Sequence, residues 1–514
     1  MASAPAVDAP MAGAPVAGAP VAGAPGAEQS APTPLRRAKI VATLGPATDD
    51  VEVLTQMMRA GLDVVRLNAS HGTVEDRRRR LAEVREAAQR ANRCVGVLLD
   101  LAGPKIRIES FRDKCVQLAE GAPFALDTAL DPKAGTALAV GVAYENLPRD
   151  VAAGDTLLLN DGQIVLDVVR VEGTRIDTRV RVGGMLSDRK GVNRQGGGIS
   201  APALAERDRE DIRFAAEEGI DYVAVSFARE AADIHEARTL LRAAGSEACI
   251  VAKIERHEAV ANLTGIIDAS DVIMVARGDL GVEMGYAELT GLQKTIIHQT
   301  RARNKVVITA TQMMESMIQS PVPTRAEVSD VANAVMDGTD AVMLSAESAT
   351  GRYPVRAVQA MAQVIEGAEK YQLTHTRSRQ RFMEGGQFKG TEEAIAMAVM
   401  YTANRMKVRA IVALTESGAT PLWMSRIRGD IPVYAFTRHE ATRRRVTLYR
   451  GVYPVIFDVT AGCGSTESLY RALFMRLLEL QLVKNSDLVI LTKGELSGVQ
   501  GGTNSMQIVK VALD

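Results

Sequence analysis

The stretch VAKIERHEAVANLTGIIDASDVIMVARGDLGVE, residues 251–283, decides how this chain folds. It contains two short apolar runs separated by a helical pattern, and charged residues stand where each run ends. Lys253 and Glu255 end the first run, and Asp279 follows the second. Short apolar runs of this kind, alternating with helices, are typical of buried parallel strands. The stretch therefore predicts one cation and two carboxylates at strand ends.

These three residue types permit a narrow chemistry. A hard dication such as Mg²⁺ prefers oxygen ligands and is often held by one or two carboxylates, which Glu255 and Asp279 would supply. The ammonium of Lys253 beside the metal would neutralise charge on a phosphoryl group or an enolate oxygen. The alternative is an ordinary buried ion pair with no catalytic role.

The same alternation of apolar runs and helical patterns continues through much of the chain. About eight runs occur in residues 35–103 and 202–371, the number that closes a (β/α)8 TIM barrel. The predicted strands are 39–44, 62–67, 94–100, 222–226, 248–254, 271–276, 305–309 and 340–344.

Polar residues follow nearly every predicted strand. Barrel enzymes build their active sites at the C-terminal ends of the strands, so we expect these side chains to converge there. They are Pro46, Arg66, Asn68, Ser70, His71, Asp100, Ser226, Lys253, Glu255, Asp279, Thr311, Gln312, Ser345 and Glu347.

The pattern changes in residues 104–201, where short β-like pieces are broken by glycine-containing turns. We predict an all-β domain inserted after the third barrel strand. Such an insertion would hang over the barrel mouth and act as a lid that excludes water. The alternative is a passive decoration. Lys190 and the glycines at 196–198 would be phosphate contacts or hinge residues.

Residues 372–514 predict a separate, smaller α/β domain. Its expected helices are 391–406, 421–428 and 467–482, and its expected strands are 410–414, 433–436 and 488–492. The loop at 415–420 joins a strand to a helix N-terminus and offers hydroxyls and N–H groups to an anion. A helix-capping loop without a ligand would have the same sequence features.

The amino-acid composition indicates the cellular compartment and the classes of partner that the protein can bind. The chain has 514 residues and a formal net charge of -1, which favours neither nucleic acid nor a membrane surface as a partner. Residues 1–34 repeat Ala-Pro-Val-Ala-Gly with variations and predict a disordered tail rather than a signal peptide. Four widely scattered cysteines predict reduced thiols and a cytoplasmic protein: Cys94, Cys115, Cys249 and Cys463.

Several longer motifs resemble the pyruvate kinase family, in order and in spacing. They include KIVATLGPAT, VVRLNASHG, LLDLAGPKIR, AKIERHEAV, MVARGDLGVE, ITATQMMESM and DGTDAVMLSAESATG, and the resemblance runs from about Arg36 to the end of the chain. It implies a barrel, a β lid and a C-terminal regulatory domain, usually assembled as a homotetramer. It also implies phosphoryl transfer from phosphoenolpyruvate to ADP, giving pyruvate and ATP.

The resemblance assigns roles to the substrate-binding residues. Lys253 would stabilise the transferred phosphoryl group with Ser226 assisting, and Arg66 would grip the substrate phosphate. Thr311 would stand near the substrate carboxylate and the path of the proton. The N–H groups of Gly278 and Asp279 would receive that carboxylate.

The resemblance also implies two metal ions and a nucleotide site. Glu255 and Asp279 would hold the catalytic Mg²⁺, for which Mn²⁺ is an alternative. A second Mg²⁺ would arrive with the nucleotide. The expected nucleotide contacts are Pro46, Arg66, His71, Arg107 and Lys190.

One departure from the family pattern bears on the monovalent cation. Most members bind K⁺ through oxygens that match Asn68, Ser70, Asp100 and the carbonyl of Leu101. This chain has Leu101 and Lys105 where the K⁺-dependent pattern has Thr and Glu. The ammonium of Lys105 would supply the charge of the bound K⁺. We therefore expect an enzyme that does not require K⁺.

A second departure lies in the presumed effector loop. Members activated by fructose 1,6-bisphosphate tend to carry basic residues there, whereas this loop contains Glu416. We expect activation by a sugar monophosphate or AMP, with help from the arginines at 443–445 unless these form only a solvated face. The expected effector contacts are Thr415, Ser417, Gly418 and Thr420.

Two other functions remain open at this point. A Mg²⁺-dependent aldolase or lyase on a related barrel would also use a metal-bound enolate, but it would not need a lid over a nucleotide. A sensor without activity would keep the scaffold and the effector loop. The intact set of Lys253, Glu255, Asp279 and Thr311 argues against the sensor.

Overall fold

The computed structural model describes residues 36–375, 388, 390–427, 429–459, 465–494 and 502–512. The predicted tail and Cys463 lie outside these ranges.

Three strands and two helices open the barrel, and polar residues at the helix ends set their limits. Asp50 is the N-cap of the first helix, and its carboxylate accepts the N–H of Glu52 at 2.8 Å. Thr73 is the N-cap of the second helix and forms a capping box with Asp76. The elements are β1 (Lys39–Thr43), α1 (Val51–Arg59), β2 (Val64–Asn68), α2 (Val74–Ala91) and β3 (Gly96–Asp100).

An inserted domain of two sheets follows β3. Six strands form one sheet in the order β11-β7-β8-β9-β5-β6, and β10 pairs with β4 in the other. These pairs are antiparallel except for β5 with β6. The elements are β4 (Cys115–Leu118), β5 (Pro123–Asp127), β6 (Ala139–Gly141), α3 (Leu147–Asp150), β7 (Thr156–Leu159), β8 (Ile164–Glu172), β9 (Arg175–Val182), β10 (Gly184–Ser187) and β11 (Val192–Arg194).

Five further strands complete the barrel. Its order is β1-β16-β15-β14-β13-β12-β3-β2, closed and parallel throughout. The elements are α4 (Glu206–Glu217), β12 (Tyr222–Val225), α5 (Ala231–Ala243), β13 (Cys249–Ile254), α6 (His257–Ala261), α7 (Leu263–Ala269), β14 (Val272–Ala276), α8 (Arg277–Met284), α9 (Tyr286–Ala302), β15 (Val306–Ala310), α10 (Arg325–Asp337), β16 (Ala341–Leu344), α11 (Ala346–Ala349) and α12 (Pro354–His375).

A third sheet forms the C-terminal domain, in the order β19-β18-β17-β20-β21. Strand β21 is antiparallel to β20, and the other pairs are parallel. Two of the five strands, β19 and β21, were not predicted from the sequence. The elements are α13 (Thr391–Ala403), β17 (Ala410–Leu414), α14 (Ala419–Arg426), β18 (Val433–Thr437), α15 (Glu440–Arg445), β19 (Val452–Ile456), α16 (Thr466–Glu479), β20 (Leu488–Gly494) and β21 (Thr503–Lys510).

The predicted fold class is therefore confirmed: a (β/α)8 barrel with an inserted β domain and a C-terminal α/β domain. Strands such as β3, β14 and β15 are buried along their whole length, because side chains fill the barrel interior and helices cover its outside. None of the helices in the described ranges is long and apolar enough to cross a bilayer.

An aspartate stands immediately before each of four alternate barrel strands, β2, β12, β14 and β16. Each carboxylate accepts an N–H from the neighbouring strand and so closes the N-terminal end of the barrel. The pairs are Asp63 with Ile40, Asp221 with Val97, Asp271 with Ile250 and Asp340 with Val307, at 2.8–2.9 Å.

Two of these aspartates also hold the C-terminal domain. Arg444 of α15 contacts Asp221 at 3.0 Å, and Arg426 of α14 contacts Asp340 at 2.6 Å. The C-terminal domain therefore docks on the N-terminal ends of the strands. The opposite end of the barrel, where the predicted site residues lie, is left to the inserted domain.

Candidate active site

Four strand ends bring five of the predicted residues together. Lys253 of β13 donates to Ser226 Oγ at 2.8 Å, and its Nζ lies 2.8 Å from Glu255 and 3.4 Å from Asp100. Arg66 of β2 donates from Nε to the other oxygen of Asp100 at 2.7 Å. These contacts form one network of two cations, two carboxylates and a hydroxyl at the C-terminal end of the barrel.

The electrostatics of the network keep Lys253 charged. Burial by itself lowers the pKa of Lys253, but the neighbouring carboxylates of Asp100 and Glu255 outweigh burial and raise the pKa above its usual value. Burial raises the pKa of Asp100, and the cations of Lys253 and Arg66 more than reverse this, so the net pKa is lowered. An ammonium and a carboxylate therefore coexist in a nearly dry site.

Arg66 has hydrogen-bond donors that remain available to a ligand. Its Nη1 donates to Thr43 Oγ1 at 2.9 Å, and its Nε is used by Asp100. Its Nη2 makes no hydrogen bond to the described residues of the chain. Since Thr43 and Asp100 fix the plane of the guanidinium, the Nη2 donors are oriented before any ligand arrives.

Glu255 and Asp279 fit the expected metal. Burial raises the pKa of Glu255, and the charge of Asp279 raises it further against the opposing charge of Lys253. The two carboxylates thus concentrate negative charge that a dication would neutralise. No cluster of three or more acidic, histidine or cysteine ligands occurs among the described residues. Two protein carboxylates are enough for Mg²⁺ when substrate and water supply the other oxygens.

Contacts within the protein also fix the carboxylates of Glu255 and Asp279. Glu255 accepts the N–H of Phe227 at 2.8 Å on its second oxygen. Asp279 lies in the first turn of α8, and Lys105 contacts it at 3.0 Å. Phe227 adopts the left-handed conformation with a φ of 56°, which is uncommon for a bulky residue and turns its N–H towards Glu255.

Thr311 and Gly278 are in contact with each other. The Thr311 hydroxyl accepts the Gly278 N–H at 2.8 Å and donates to the carbonyl of Ala310 at 2.7 Å. The expectation that the Gly278 N–H is free for a substrate carboxylate therefore differs from the structure, because the threonine hydroxyl already accepts it. The N–H of Asp279 lies in the first helical turn, where N–H groups have no partner within the helix.

The predicted nucleotide contacts form two groups. Pro46 begins a 3-10 helix on the barrel rim, and His71 is exposed after β2. Arg107 and Lys190 lie in the inserted domain, where Arg107 donates to the carbonyl of Arg189 at 2.9 Å and pairs with Gly191. A nucleotide between these groups would be held by the barrel on one side and the insertion on the other.

Two of the glycines at 196–198 lie against a carboxylate of the barrel. The N–H of Gly198 donates to the carboxylate of Glu258, and a Cβ at Gly197 would lie 2.7 Å from the same carboxylate. Asn193 adds a contact to Glu283 at 3.4 Å. These residues join the inserted domain to the barrel, so a carboxylate occupies the place where a phosphate was considered.

The residues of the monovalent-cation set lie near one another, and the ion-pair partner of the Lys105 ammonium is Asp279. Asn68 Oδ1 accepts the N–H of Ser70 at 3.0 Å, and the Leu101 carbonyl accepts the Ser226 hydroxyl at 2.8 Å. The ammonium of Lys105 contacts Asp279. Its charge is therefore placed at the carboxylate expected to bind the metal.

The effector loop is closed by its own hydrogen bonds. Thr415 Oγ1 accepts the N–H of Gly418 at 2.9 Å, and Ser417 Oγ accepts that of Ala419 at 3.4 Å. Thr420 is buried and shares a 2.7 Å hydrogen bond with Thr503. Of the four expected contacts, Thr420 therefore points into the domain, away from a ligand on the loop.

The arginines at 443–445 do not gather at this loop. Arg443 pairs with Glu440 on its own helix, Arg444 with Asp221 of the barrel, and Arg445 donates to the carbonyl of Glu247. The contacts of Arg444 and Arg445 therefore join the C-terminal domain to the barrel.

Several residues that contact the predicted site residues were not predicted from the sequence. Thr43 orients Arg66, Phe227 orients Glu255, and Arg277 contacts the backbone around Thr311. The only available signal was their place at strand ends. Phe227 follows the predicted Ser226 and Arg277 precedes the predicted Gly278, yet the partners of both are distant in sequence.

Comparison with known proteins is consistent across the chain. A family model described as "Pyruvate kinase, barrel domain" matches residues 35–358, and one described as "Pyruvate kinase, alpha/beta domain" matches residues 393–509. "Pyruvate kinase II" of Salmonella typhimurium is 50% identical over 481 residues, covering 93% of this chain and 99% of the relative.

Two further relatives agree. "Pyruvate kinase" of Haemophilus influenzae is 50% identical over 470 residues, covering 91% of this chain and 97% of the relative. "Pyruvate kinase" of Geobacillus stearothermophilus is 42% identical over 476 residues, covering 92% of this chain and 80% of the relative. The lyase and sensor alternatives are set aside by matches of this extent. The chain therefore belongs to the pyruvate kinase family, and its enzymatic function is that of a pyruvate kinase.

Proposed function

We propose that this enzyme moves the phosphoryl group of phosphoenolpyruvate to ADP, giving ATP and the enolate of pyruvate, which is then protonated. Family membership implies these substrates and the last step of glycolysis. The observation that carries the proposal is the buried network of Lys253, Glu255, Asp100, Ser226 and Arg66 at the barrel mouth. Phosphoryl transfer requires positive charge placed in advance around the moving group, which this network supplies.

Arg66 and Lys253 would have different roles in binding and transferring the phosphoryl group. Arg66 would bind the substrate phosphate through its Nη2 donors, since Thr43 and Asp100 hold its other nitrogens. Lys253 would follow the phosphoryl group during transfer and stabilise its charge. Ser226 would keep the ammonium in place, because its hydroxyl accepts from Lys253 and donates to the Leu101 carbonyl.

Glu255 and Asp279 are the proposed metal ligands. Enzymes of this family generally use Mg²⁺, and Mn²⁺ has the same preference for oxygen ligands. When bound, the metal supplies Lewis-acid stabilisation of the phosphoryl and enolate oxygens. The Phe227 N–H and the Lys253 ammonium hold the carboxylate of Glu255, so its orientation is defined before substrate arrives.

The substrate carboxylate is proposed to bind at the start of α8. The Asp279 N–H would donate to it, and the Gly278 N–H would join after exchanging its present partner, the Thr311 hydroxyl. The hydroxyl released by that exchange would contact the substrate and order the water that delivers a proton to the enolate. This assignment makes Thr311 a switchable hydrogen-bond partner.

The nucleotide is proposed to bind between the barrel rim and the inserted domain, with its own Mg²⁺. Pro46 and His71 would line the rim side, and Arg66 would reach the transferred group. Arg107 and Lys190 would neutralise the phosphates from the inserted domain, where Arg107 pairs with Gly191 and the Ile108 N–H donates to the Lys190 carbonyl at 2.9 Å. Closure of this domain would exclude water from the reaction.

Independence from K⁺ is also part of the proposal, with a revised physical basis. The 3.0 Å contact between Lys105 and Asp279 supports a fixed positive charge beside the proposed metal ligand. That charge would replace the electrostatic effect of K⁺ without occupying its oxygen set of Asn68, Ser70, Asp100 and Leu101. Turnover that rises many-fold with KCl, at ionic strength held constant by a non-coordinating salt, would contradict this.

Regulation by a phosphorylated effector is proposed for the loop of Thr415, Ser417 and Gly418. Glu416 contacts Arg438 at 3.2 Å and also pairs with His439, so the loop presents a mixed charge that suits one phosphate better than two. A sugar monophosphate or AMP would be the activator. Titration of the rate with glucose 6-phosphate, AMP and fructose 1,6-bisphosphate tests this, and a strong response to the bisphosphate alone would contradict it.

Assembly and location complete the proposal. A homotetramer in the cytoplasm is expected from the family resemblance and from the free thiols of Cys94, Cys115 and Cys249. The proposed division is a barrel of 35–103 and 202–371, a lid of 104–201, and an effector domain of 372–514 after a tail of 1–34. Sedimentation at several protein concentrations would test the tetramer.

The decisive experiment is pyruvate formation from phosphoenolpyruvate, ADP and Mg²⁺ without K⁺. Lys253→Met should lower kcat by at least ~10²-fold, because it removes the central cation. Lys305→Met is a matched control, since Lys305 lies at the other end of the barrel and donates to the Ser270 carbonyl. No turnover by the unaltered enzyme, or equal losses in both variants, would refute the proposal.

A further inference from the structure

The guanidinium of Arg277 is a buried cation beside the site and makes hydrogen bonds from every side-chain nitrogen. Arg277 is the first residue of α8, directly before Gly278, and is 7% exposed. All three of its side-chain nitrogens donate to protein oxygens. These oxygens lie on two helices and on the backbone from the end of β15 to Gln312, and Nη2 also contacts Met313 Sδ at 2.7 Å.

That backbone has an unusual conformation. Thr311 and Gln312 are both left-handed, with φ values of 66° and 52°. This conformation is rare for a β-branched residue and persists only where the surroundings hold it. Two successive residues of this kind, directly after a buried strand, mark a strained turn at the active site.

Arg277 binds the carbonyls of this turn. Its Nη2 donates to the Thr311 carbonyl at 2.7 Å and to the Gln312 carbonyl at 3.2 Å. Its Nε lies 3.3 Å from the carbonyls of Ala310 and Thr311. One planar group therefore contacts three successive carbonyls, which fixes the direction of each peptide in the turn.

The opposite edge of the guanidinium is anchored elsewhere. Nη1 lies 2.8 and 2.7 Å from the two oxygens of Asp330 in α10 and 3.3 Å from Gln293 in α9. Asp330 neutralises a charge that would be costly to bury alone. The guanidinium thus spans from two outer helices to the turn that carries Thr311.

The turn sets the position of the Thr311 hydroxyl. That hydroxyl lies between the Gly278 N–H and the Ala310 carbonyl, at 2.8 and 2.7 Å. Gly278 follows Arg277 in the chain, so the clamp fixes both partners of this hydrogen bond. A shift in the turn would displace the hydroxyl without altering the network around Lys253.

We propose that Arg277 is a positioning residue for the reaction: it holds the left-handed turn at Thr311 and Gln312 and so aligns the Thr311 hydroxyl. This inference rests on the proposed function of Thr311. It assigns no contact between Arg277 and substrate. Lysine cannot replace it, because an ammonium lacks the planar fork that reaches three carbonyls and a carboxylate at once.

A double-mutant cycle tests the inference, with Arg277→Lys, Thr311→Ala and the combination. Arg277→Lys should lower kcat roughly 10- to 100-fold, since a displacement of about 1 Å can cost 10²-fold. The KM for ADP should stay unchanged, because the nucleotide contacts lie elsewhere. The combination should lie within about threefold of Thr311→Ala alone, since residues acting as one unit are not additive.

The matched control is Arg238→Lys. Arg238 contacts Asp271 at 3.0 Å and donates to the Ala269 carbonyl at 2.8 Å, at the N-terminal end of the barrel. Its replacement should leave kcat within about twofold. If Arg277→Lys does not fold, Asp330→Asn provides the second variant: it weakens the anchor from a side chain that is 37% exposed.

The outcomes separate the two proposals. Active unaltered enzyme with multiplicative losses in the cycle would overturn the role of Arg277 and leave the proposed function standing. An Arg277→Lys variant with the same kcat as the Arg238→Lys control would also overturn the role of Arg277. If Arg277→Lys does not fold, a kcat of Asp330→Asn equal to that of the unaltered enzyme would overturn it. Absence of pyruvate formation by the unaltered enzyme would refute the proposed function, and the role of Arg277 with it.

Discussion

The ion pair between Arg444 and Asp221 should stabilise the enzyme in a way that depends on pH. Arg444 belongs to the C-terminal domain and Asp221 precedes barrel strand β12, with 3.0 Å between Nε and the carboxylate. Asp221 also accepts the Val97 N–H. Replacing Arg444 by glutamine keeps part of the side-chain volume but leaves a buried carboxylate without its cation.

The pH range of the effect follows from the titration of Asp221. Burial raises its pKa from 3.8 to about 6, against the opposing charge of Arg444. Removing the cation from a buried ion pair costs about 3 kcal/mol when the carboxylate is ionised. The folded pKa lies above the unfolded one, so the favourable contribution is complete below pH ~3.8 and is lost as pH rises through ~6. In Arg444→Gln the folded pKa of Asp221 should rise further, and the loss should extend to higher pH.

Thermal unfolding gives the assay. The unfolding entropy of a 514-residue chain is about 1 kcal/mol/K, so 3 kcal/mol corresponds to about 3 °C. Arg444→Gln should lower the apparent Tm by about 3 °C at pH 8 and by about 1 °C at pH 5. The difference arises because Asp221 is largely protonated at pH 5 and no longer needs a cation.

Two variants control for other causes. Arg443→Gln removes a neighbouring arginine whose partner, Glu440, is exposed at 3.1 Å on the same helix. Its effect should stay under about 0.5 kcal/mol at both pH values. Adding Asp221→Asn to Arg444→Gln should abolish the pH dependence. Equal losses of Tm at pH 5 and pH 8 for Arg444→Gln would refute the electrostatic reasoning.

Three further predictions concern other charged and reactive groups. Lys105→Glu should make the rate rise at least ~10-fold with KCl at constant ionic strength, because it removes a fixed cation; a response like that of the unaltered enzyme would contradict the role of this charge. Burial raises the pKa of the Cys94 and Cys249 thiols to about 12. Mass spectrometry after brief iodoacetamide treatment at pH 8 should therefore find alkylation at exposed Cys115 and little at the other two. Burial also raises the pKa of Glu283 to about 7, so its stabilising contribution is lost as pH rises through 7. The apparent Tm of Glu283→Gln should accordingly exceed that of the unaltered enzyme at pH 8.5 and not at pH 5.5, and a lower Tm at pH 8.5 would count against this.

The barrel was predictable because its signal is local and repeated. Short runs rich in Val and Ile recur between helical patterns, and parallel strands buried on both faces require this composition. Because barrel enzymes build their active sites at the C-terminal ends of the strands, the position of Lys253, Glu255 and Asp279 then indicated that they belong to the site. In the C-terminal domain the same signal was weaker. Strand β19 contains Pro454, and β21 is an antiparallel edge strand, so neither matched the pattern used for the others.

The amino-acid sequence alone determined which residue types stand at each strand end, and hence the kind of chemistry the site supports. Only the tertiary structure decided which charges meet. Lys105 pairs with Asp279 across 174 residues, Arg277 with Asp330 across 53, and Arg444 with Asp221 across 223. The physical reason is that the local sequence around a charged side chain does not specify which distant charge will be its partner. The closed barrel and the docked domain bring particular pairs of charges within a few ångströms of each other and bury them, and this determines the pairing.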